Sequence, residues 1–444
     1  MKNKLVIVLI LIAALGVVCV AIALIGALMY FPTASRTVQI IGNQQALNVS
    51  AQAVEEHSFT VTGQAMLNLN NYFGDIDIQA ESSGPGGEIQ VSAQKQAWGV
   101  DQNAADAALE KLKIDMTQDS NNVTIQVQAP ETNNLINQNR ASKVDFNISV
   151  PPTTTVVVHT RNGDISLAGT QGKADLNSDF GEINISDVKG GVAATSLNGK
   201  INVRRIQLLD SGFGDATLNT GFGDLTLEDA IVQQANLSSR NGTVTLTNVN
   251  SDGELNVSSD FGEIVINSAQ GSNLQAETRN GAITLTDIGL DKKVSAQSDF
   301  GDLKLTRVQA QEYDLNTKSG AVSADGVQGN LKAQTDFGEI NISNADKANI
   351  DLETNSGKIN YRGSLGPGPH RLSTNFGDIR LTLPEDSSFN FDLQTDFGTI
   401  RIGFQINITG QPDDKHWQGQ VNGGGPSVKA SSRNGDISID AFTP

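Results

Sequence analysis

The tripeptide Asp-Phe-Gly occurs five times, at residues 179, 260, 299, 336 and 396, and each copy sets a carboxylate close to a residue with no side chain. In phosphoryl transfer such a tripeptide holds magnesium once, beside a glycine-rich loop and a catalytic loop, and this sequence has neither. Acids flank the same glycines on both sides, as Asp179/Glu182, Asp260/Glu263, Asp299/Asp302 and Asp336/Glu339. Repeated carboxylates are calcium chemistry, since that ion takes about six to eight oxygens. Here coils carrying Arg240, Arg279 or Lys318 interrupt the pairs, and the Gly-Gly-x-Gly-x-Asp nonapeptide of calcium-binding rolls is missing. Surface ion pairing is therefore the expected use of these acids, and no cofactor is assigned. The histidines, His57, His159, His370 and His416, are scattered with no pair at ligand spacing. The triglycine at 423–425 is followed by no Gly-Lys-Ser/Thr and reads as a turn. No residue is assigned a catalytic or metal role.

The glycines of those tripeptides belong to a larger pattern, which must position everything else. Fourteen copies of one unit run from Val156 to Ile439: apolar, any, apolar, any, Ser/Thr, any, Phe/Asn/Ser, Gly, any, Ile/Leu/Val, any, apolar. The marker glycines are Gly163, Gly181, Gly199, Gly223, Gly242, Gly262, Gly281, Gly301, Gly320, Gly338, Gly357, Gly377, Gly398 and Gly435. Self-similarity at about 19 residues means a solenoid. Alternation along a strand puts residues two apart on one side. With Gly262 as origin, Leu255, Val257 and Ser259 share a side before the glycine, and Ile264 and Ile266 share one after it. The parity changes at the glycine, which predicts two short strands joined at a corner, where a missing Cβ permits φ > 0 or a sharp bend. A second turn is expected near Gly190-Gly191, Gly253 or Gly326.

Stacking such coils puts like residues in columns. Three residues before the glycine every copy has Ser or Thr, which predicts an inward ladder of hydroxyls bonded from coil to coil. Immediately before the glycine, Phe nearly alternates with a small polar residue: Asn162, Phe180, Asn198, Phe222, Asn241, Phe261, Asn280, Phe300, Ser319, Phe337, Ser356, Phe376, after which Phe397 breaks the rhythm. These rings are expected to point inward and fill the corner over the small side chain of the next coil. Charge alternates one position earlier, through Asp260, Arg279, Asp299, Lys318 and Asp336, and predicts a salt-bridge ladder between neighbours ~4.8 Å apart.

Composition agrees with an elongated aliphatic core: 44 Gly, 11 Pro and 5% aromatics in 444 residues. A formal charge of −18 argues against nucleic acid and anionic lipid as partners, because both need clustered Lys and Arg. One cysteine, Cys19, excludes an internal disulfide. Residues 1–4 read as a cytoplasmic tail. Residues 5–31 are uncharged, overwhelmingly apolar and long enough to span a bilayer as an uncleaved helix. Lys2 and Lys4 before it place the N-terminus inside and the bulk of the chain outside the cell membrane. Residues 32–56 read as a stalk, 57–150 as a β-rich lead-in and cap, 151–410 as the repeat solenoid, and 411–444 as a last rung and cap. Within the lead-in, Asn71 to Ile78 is an outlying copy of the corner. Ala104 to Ile114 has helical periodicity and is expected to cover the open N-terminal end of the stack.

These pieces come in a known order: Gly-Glu-Ile-Gln-Val at 87–91, the helix, Val123-Thr124-Ile125, Val144 to Pro151, Arg161-Asn162-Gly163-Asp164-Ile165, and a final Gly423-Gly424-Gly425-Pro426 before Ser432-Arg433-Asn434-Gly435-Asp436-Ile437. That order resembles the bacterial adhesin-like family known as domain of unknown function 4097, over roughly residues 57–444. The resemblance implies a β-solenoid at the cell surface or in the envelope, and carries no catalytic residues. The fold expected is all-β, a parallel β-helix-like solenoid. The expected role is a non-enzymatic adhesin-like or scaffold module whose surface protein or glycan partner is unnamed. The rival reading is a carbohydrate-active β-helix enzyme on acidic polysaccharide. Its carboxylates and cations would sit where the repeat is irregular, at 204–215 or at 403–426 with Asp413-Asp414-Lys415-His416-Trp417.

Overall fold

The computed structural model describes residues 49–81, 87–128, 142–207, 214–409 and 413–443. The expected cytoplasmic tail, the apolar segment 5–31 and the stalk as far as residue 48 lie outside the described residues. Among the described residues no helix is long and apolar enough to cross a membrane.

The described residues form an all-β solenoid with one short helix. Strands before the marker glycines form one parallel sheet and strands after them a second. Ala174 pairs in register with Val156 on one side and Val192 on the other, and Ile183 likewise with Ile165 and Ile201. One marker glycine therefore corresponds to one coil, so the Phe/Asn alternation joins two successive coils and does not divide a longer one. The alternating aliphatic residues of both sheets form a continuous core, with Leu176, Ile183, Leu237, Ile264, Ile283 and Leu352 fully buried.

The corner glycines stack directly. From Gly163 onward a Cβ on any of them would overlap the carbonyl oxygen of the glycine in the neighbouring coil, and at Gly74 it would overlap that of Val144. Only Gly74 and Gly163 in this column have positive φ. Close approach of backbones, more than left-handed conformation, is what requires glycine here.

The second turn is made by a different device. Six residues after the corner, Asp187, Arg205, Asp229, Asn248, Ser268, Asp287, Arg307 and Asn344 lie at φ 51–58°, joined in the same column by Gly169 and Gly326. Left-handed backbone reverses the parity again. The following residues, among them Val188, Ile206, Val249, Ile288 and Val308, turn inward and are buried.

Both ends of the stack are threaded out of sequence order. The coil Met66–Phe73 and Ile76–Ala80 is inserted between the repeats and the later strands Asn122–Val127 and Ser142–Val150. At the other end Ser427–Ser432 and Ile437–Phe442 lie between the coil of Gly377 and the coil of Gly398. Antiparallel strands then cover the stack ends: Ile114–Asp119 on Asn122–Val127, Gly87–Gly99 on Ser142–Val150, and His416–Val421 on Phe389–Thr395. Val49–Val61 pairs outermost, along Gly87–Gly99, so regular structure starts inside the segment expected to be stalk. Its Glu55 and Glu56 lie on an edge where charge discourages pairing with another chain.

The helix spans Gln102–Lys111, with the Asp101 carboxylate accepting from the Ala104 amide at 2.8 Å. It ends earlier than its periodicity suggests, because Ile114 already belongs to a strand. It packs Ala105 against Gly87–Gly99 and Val49–Val61. The expectation that it covers the open end of the stack is thus corrected. Antiparallel strands do that, since they pair the edge amides and carbonyls directly.

Candidate functional site

The corner is built around the Ser/Thr column. These side chains are buried, as their alternation requires. Their partners, however, are not one another. Ser259 Oγ donates to the Gly242 carbonyl of the preceding coil at 3.0 Å and accepts from the Gly262 amide of its own coil at 2.9 Å. Thr278, Ser298, Thr317 and Thr335 repeat the same double contact. Apart from that of Thr160, each hydroxyl clamps one corner to the next. At Gly74 the buried Asn71 takes the role through its side-chain amide, which reaches the Gly74 carbonyl. Thr160 in the coil above has no hydrogen-bond partner for its hydroxyl.

This clamp overturns the inward placement of the phenylalanines. Stacked glycine backbones and clamped hydroxyls occupy the corner's interior, leaving no volume for a ring. Phe180, Phe222, Phe261, Phe300, Phe337, Phe376 and Phe397 instead project outward, 48–77% exposed. They form a ridge along the stack, with Asn or Ser at the same place in the intervening coils.

Threading repairs the apparent break at Phe397. The coil between Phe376 and Phe397 in space is the one carrying Asn434, as the Phe397 amide donates to the Arg433 carbonyl and the Asn434 amide to the Asn375 carbonyl. Alternation is therefore regular in space where it is irregular in sequence.

Beside the ridge runs the charge column. It is a set of separate pairs and not a continuous ladder: Arg279 to Asp260 at 4.0 Å, Lys318 to Asp299 at 2.7 Å and Arg433 to Asp396 at 4.0 Å. Each cation comes from an Asn or Ser coil and each acid from a Phe coil. Arg279 also sits 5.9 Å from the Phe261 ring centroid, within cation–π range. Between this column and the next outward-facing one lies an open groove of about 660 Å³, which crosses the coils from Leu197 to Lys318. Its walls are Ser238, Ser258, Glu277, Gln297 and Asn316 on one side, and Arg240, Asp260, Arg279, Asp299 and Lys318 on the other.

The acids one residue after the corner have a structural task. Asp224, Asp302 and Asp436 accept the amides of Thr243, Ala321 and Thr399 in the adjacent coil at 3.1, 2.8 and 2.7 Å. The amide and hydroxyl of Thr399 hold the Asp436 carboxyl below the usual carboxylate range. Of the acid pairs with calcium chemistry, Asp260 and Asp299 thus face cations and Asp302 a backbone amide.

Where they are described, the irregular stretches make contacts between coils and with the cap. Arg204 pairs with Glu228 at 3.0 Å, and Arg205 makes a two-pronged contact with Asp187 at 2.7 and 2.8 Å. Residues 208–213 lie outside the described residues. In the C-terminal stretch Asp413 accepts the amides of Lys415 and His416, Lys415 reaches the Gly398 carbonyl, and His416 Nε2 lies 2.7 Å from Asp392. Trp417 packs on the end of the core and donates to the Asp413 carbonyl.

One column was met in the sequence only at Gly326, where a second turn is expected. The left-handed residues carry Arg205–Asp187, Arg307–Asp287 and Asn248–Asp229 contacts on the surface. Hydrogen bonds from the guanidinium groups hold the Asp187 and Asp287 carboxyls below their ordinary range. The signal is the recurrence of Asp, Asn and Gly six residues after most of the corners, the residue types that tolerate positive φ.

The family model described as Toastrack DUF4097 matches residues 74–306, 250–366 and 292–440, in overlapping spans as a repeated sequence allows. A search of curated proteins finds no match. Among solved structures, a candidate adhesin from Bacteroides fragilis is 12% identical, covering 66% of this chain and 97% of its own, with a TM-score of 0.28. A candidate adhesin from Parabacteroides distasonis is 12% identical over 74% of this chain and 94% of its own, at a TM-score of 0.27. A candidate cell adhesion protein from Clostridium sporogenes is 10% identical over 88% and 100%, at 0.15. With a model matched from residue 74 to residue 440, the chain belongs to the Toastrack DUF4097 family.

Proposed function

We propose that this chain is a membrane-anchored, extracytoplasmic, non-enzymatic binding module of adhesin-like type, and that it meets its partner with the phenylalanine ridge and the groove beside it. The anchor is the apolar segment 5–31, and the orientation follows from Lys2 and Lys4 before it. The observation that carries the reading is the exposure of the rings. Asn and Ser fill the same corner position in alternate coils, so the coil does not need a ring there. Full burial of a Phe side chain is worth about 1.5–3 kcal/mol, so each half-exposed ring leaves roughly 1 kcal/mol unrealised in the isolated molecule. A regular row of such rings marks a contact surface. Where they are described, the irregular stretches that would have housed an enzyme site make contacts that hold coils and cap together.

The test is binding of the purified full-length chain to isolated cell-envelope material, with the polysaccharide monitored for cleavage. The combined variant Phe261→Ser, Phe300→Ser and Phe337→Ser installs the residue that neighbouring coils already carry. Saturable binding without turnover, weakened at least tenfold by the variant, is expected. Equal binding by the variant would remove the ridge from the site, and ridge-dependent cleavage would move the protein to the enzyme class.

A further inference from the structure

We propose that the occupant of the ridge and groove is an uncharged, β-1,4-linked polysaccharide chain lying along the stack, one disaccharide to every two coils. This rests on the ridge being the binding surface, and names what it binds.

The first argument is periodicity. Rings recur every second coil, about 9.6 Å apart at ~4.8 Å per coil, within about a tenth of the roughly 10 Å repeat of one disaccharide in an extended β-1,4-linked chain. Such a chain turns over at each sugar, so every second residue offers the same C–H face. A row of rings at this spacing meets only like faces. The phase is kept even where the coil bearing Asn434 comes from a distant part of the sequence and is threaded between Phe376 and Phe397.

The second argument is the chemistry of the groove. Serine hydroxyls and the amides of Gln297 and Asn316 line it beside the alternating charges, a supply of donors and acceptors suited to sugar hydroxyls. Its cations Arg240, Arg279 and Lys318 are matched in number by Asp260, Glu277 and Asp299. The local field thus favours neither sign, and the chain's net charge of −18 opposes a polyanion.

A peptide is disfavoured by the same surface. The strands flanking the groove are paired on both sides with neighbouring coils, leaving no free edge for an added strand.

The experiment measures binding of the full-length chain in detergent micelles to β-1,4-linked N-acetylglucosamine oligomers of two to eight residues by calorimetry, with α-1,4-linked glucose oligomers of equal length alongside. Affinity is expected to climb stepwise, severalfold for each added disaccharide, and the α-linked series to bind at least tenfold more weakly. Phe261→Ser with Phe300→Ser should cost tenfold or more, with the far-ultraviolet spectrum unchanged and cooperative unfolding kept at a slightly lower thermal midpoint. No dependence on length or linkage would overturn the proposal. So would concentration-dependent self-association abolished by the same variants, which would make a second copy of this chain the occupant. Ridge-dependent binding to envelope material without binding to these oligomers would reject the sugar and leave the ridge as a site; loss of both would reject the two readings together.

Discussion

Replacing Thr278 by valine keeps the shape of the side chain and removes one hydroxyl, so it isolates what the corner clamp contributes. Thr278 Oγ1 donates to the Gly262 carbonyl at 3.0 Å and accepts from the Gly281 amide at 3.1 Å, and the residue is only 8% exposed. Valine would strand both backbone groups in a corner that water cannot enter without parting the coils. A hydrogen bond contributes about 0.5–1.5 kcal/mol net, and a buried group left unpaired costs about 1–3 kcal/mol. For this pair of groups the expected loss is about 2–4 kcal/mol. Serine at the same place keeps both bonds and gives up one methyl, about 1 kcal/mol. A stack of coils need not unfold in one step, so amide exchange at Gly281 is the direct assay, with urea unfolding as its companion. Local opening made easier by 2–4 kcal/mol accelerates exchange roughly 30- to 1000-fold. If Thr278→Val behaves as Thr278→Ser does, or leaves the Gly281 amide as protected as before, the clamp is not what holds the corner.

The glycine column gives a second contrast. Gly281→Ala drives a Cβ into the Gly262 carbonyl and should destabilise by about 3 kcal/mol or more, whereas Gly289→Ala meets nothing closer than Gln270 Cγ at 3.9 Å and should be near neutral by thermal melting. His370 is buried, accepts from the Ile350 amide at Nδ1 and lies 3.1 Å from the Gly366 carbonyl at Nε2, so it is held neutral and burial pushes its pKa down. The unfolded chain then binds the proton more readily than the folded one. Stability is fully present above the ordinary histidine pKa and falls as pH drops below it, so unfolding free energy should decline between pH 7 and 5 with a slope reduced in His370→Gln. Tyr361 donates to the Ser364 carbonyl at 2.7 Å, and burial pushes its pKa up. The folded chain keeps that proton longer. Its contribution is therefore intact below the ordinary tyrosine pKa and lost as pH climbs beyond it, and Tyr361→Phe should flatten the alkaline limb of the stability profile.

The corner glycines and the Ser/Thr column were legible because one steric requirement is imposed again in every coil, and repetition makes a requirement visible. The direction of the phenylalanines was not. Parity counting works along a strand, and these rings sit at or just beyond the strand's last residue, where the chain bends. Whether they face in or out depends on what fills the corner, and Ser259 with Gly242 and Gly262 fills it through backbone contacts that no side-chain pattern records. The left-handed column was veiled by Arg205, Ser268 and Arg307, which adopt positive φ beside the more usual Asp, Asn and Gly. Threading was hidden for another reason: register between Ser427–Ser432 and both His370–Thr374 and Phe389–Thr395 is set by which coils meet, and sequence order is silent on that.

That threading also bears on why the rings alternate at all. Duplication of a two-coil unit would produce alternation along the sequence, yet at the C-terminal end alternation holds only in space. A constraint acting between neighbouring coils or on the outer surface must maintain it. Packing between neighbours argues the other way. Rings in adjacent coils, ~4.8 Å apart, would stack as in aromatic ladders, each pair worth about 0.5–1.5 kcal/mol. An unbroken row of phenylalanine would thus make the stack more stable than the alternating one does. Asn280→Phe, between Phe261 and Phe300, tests this separation of stability from surface function. It should raise the unfolding free energy by about 1 kcal/mol or more, and by halving the ring spacing it should weaken ridge-dependent binding tenfold. A destabilised variant would return the alternation to coil packing; a stabilised variant with binding intact would show that the spacing of the rings is not what the partner reads.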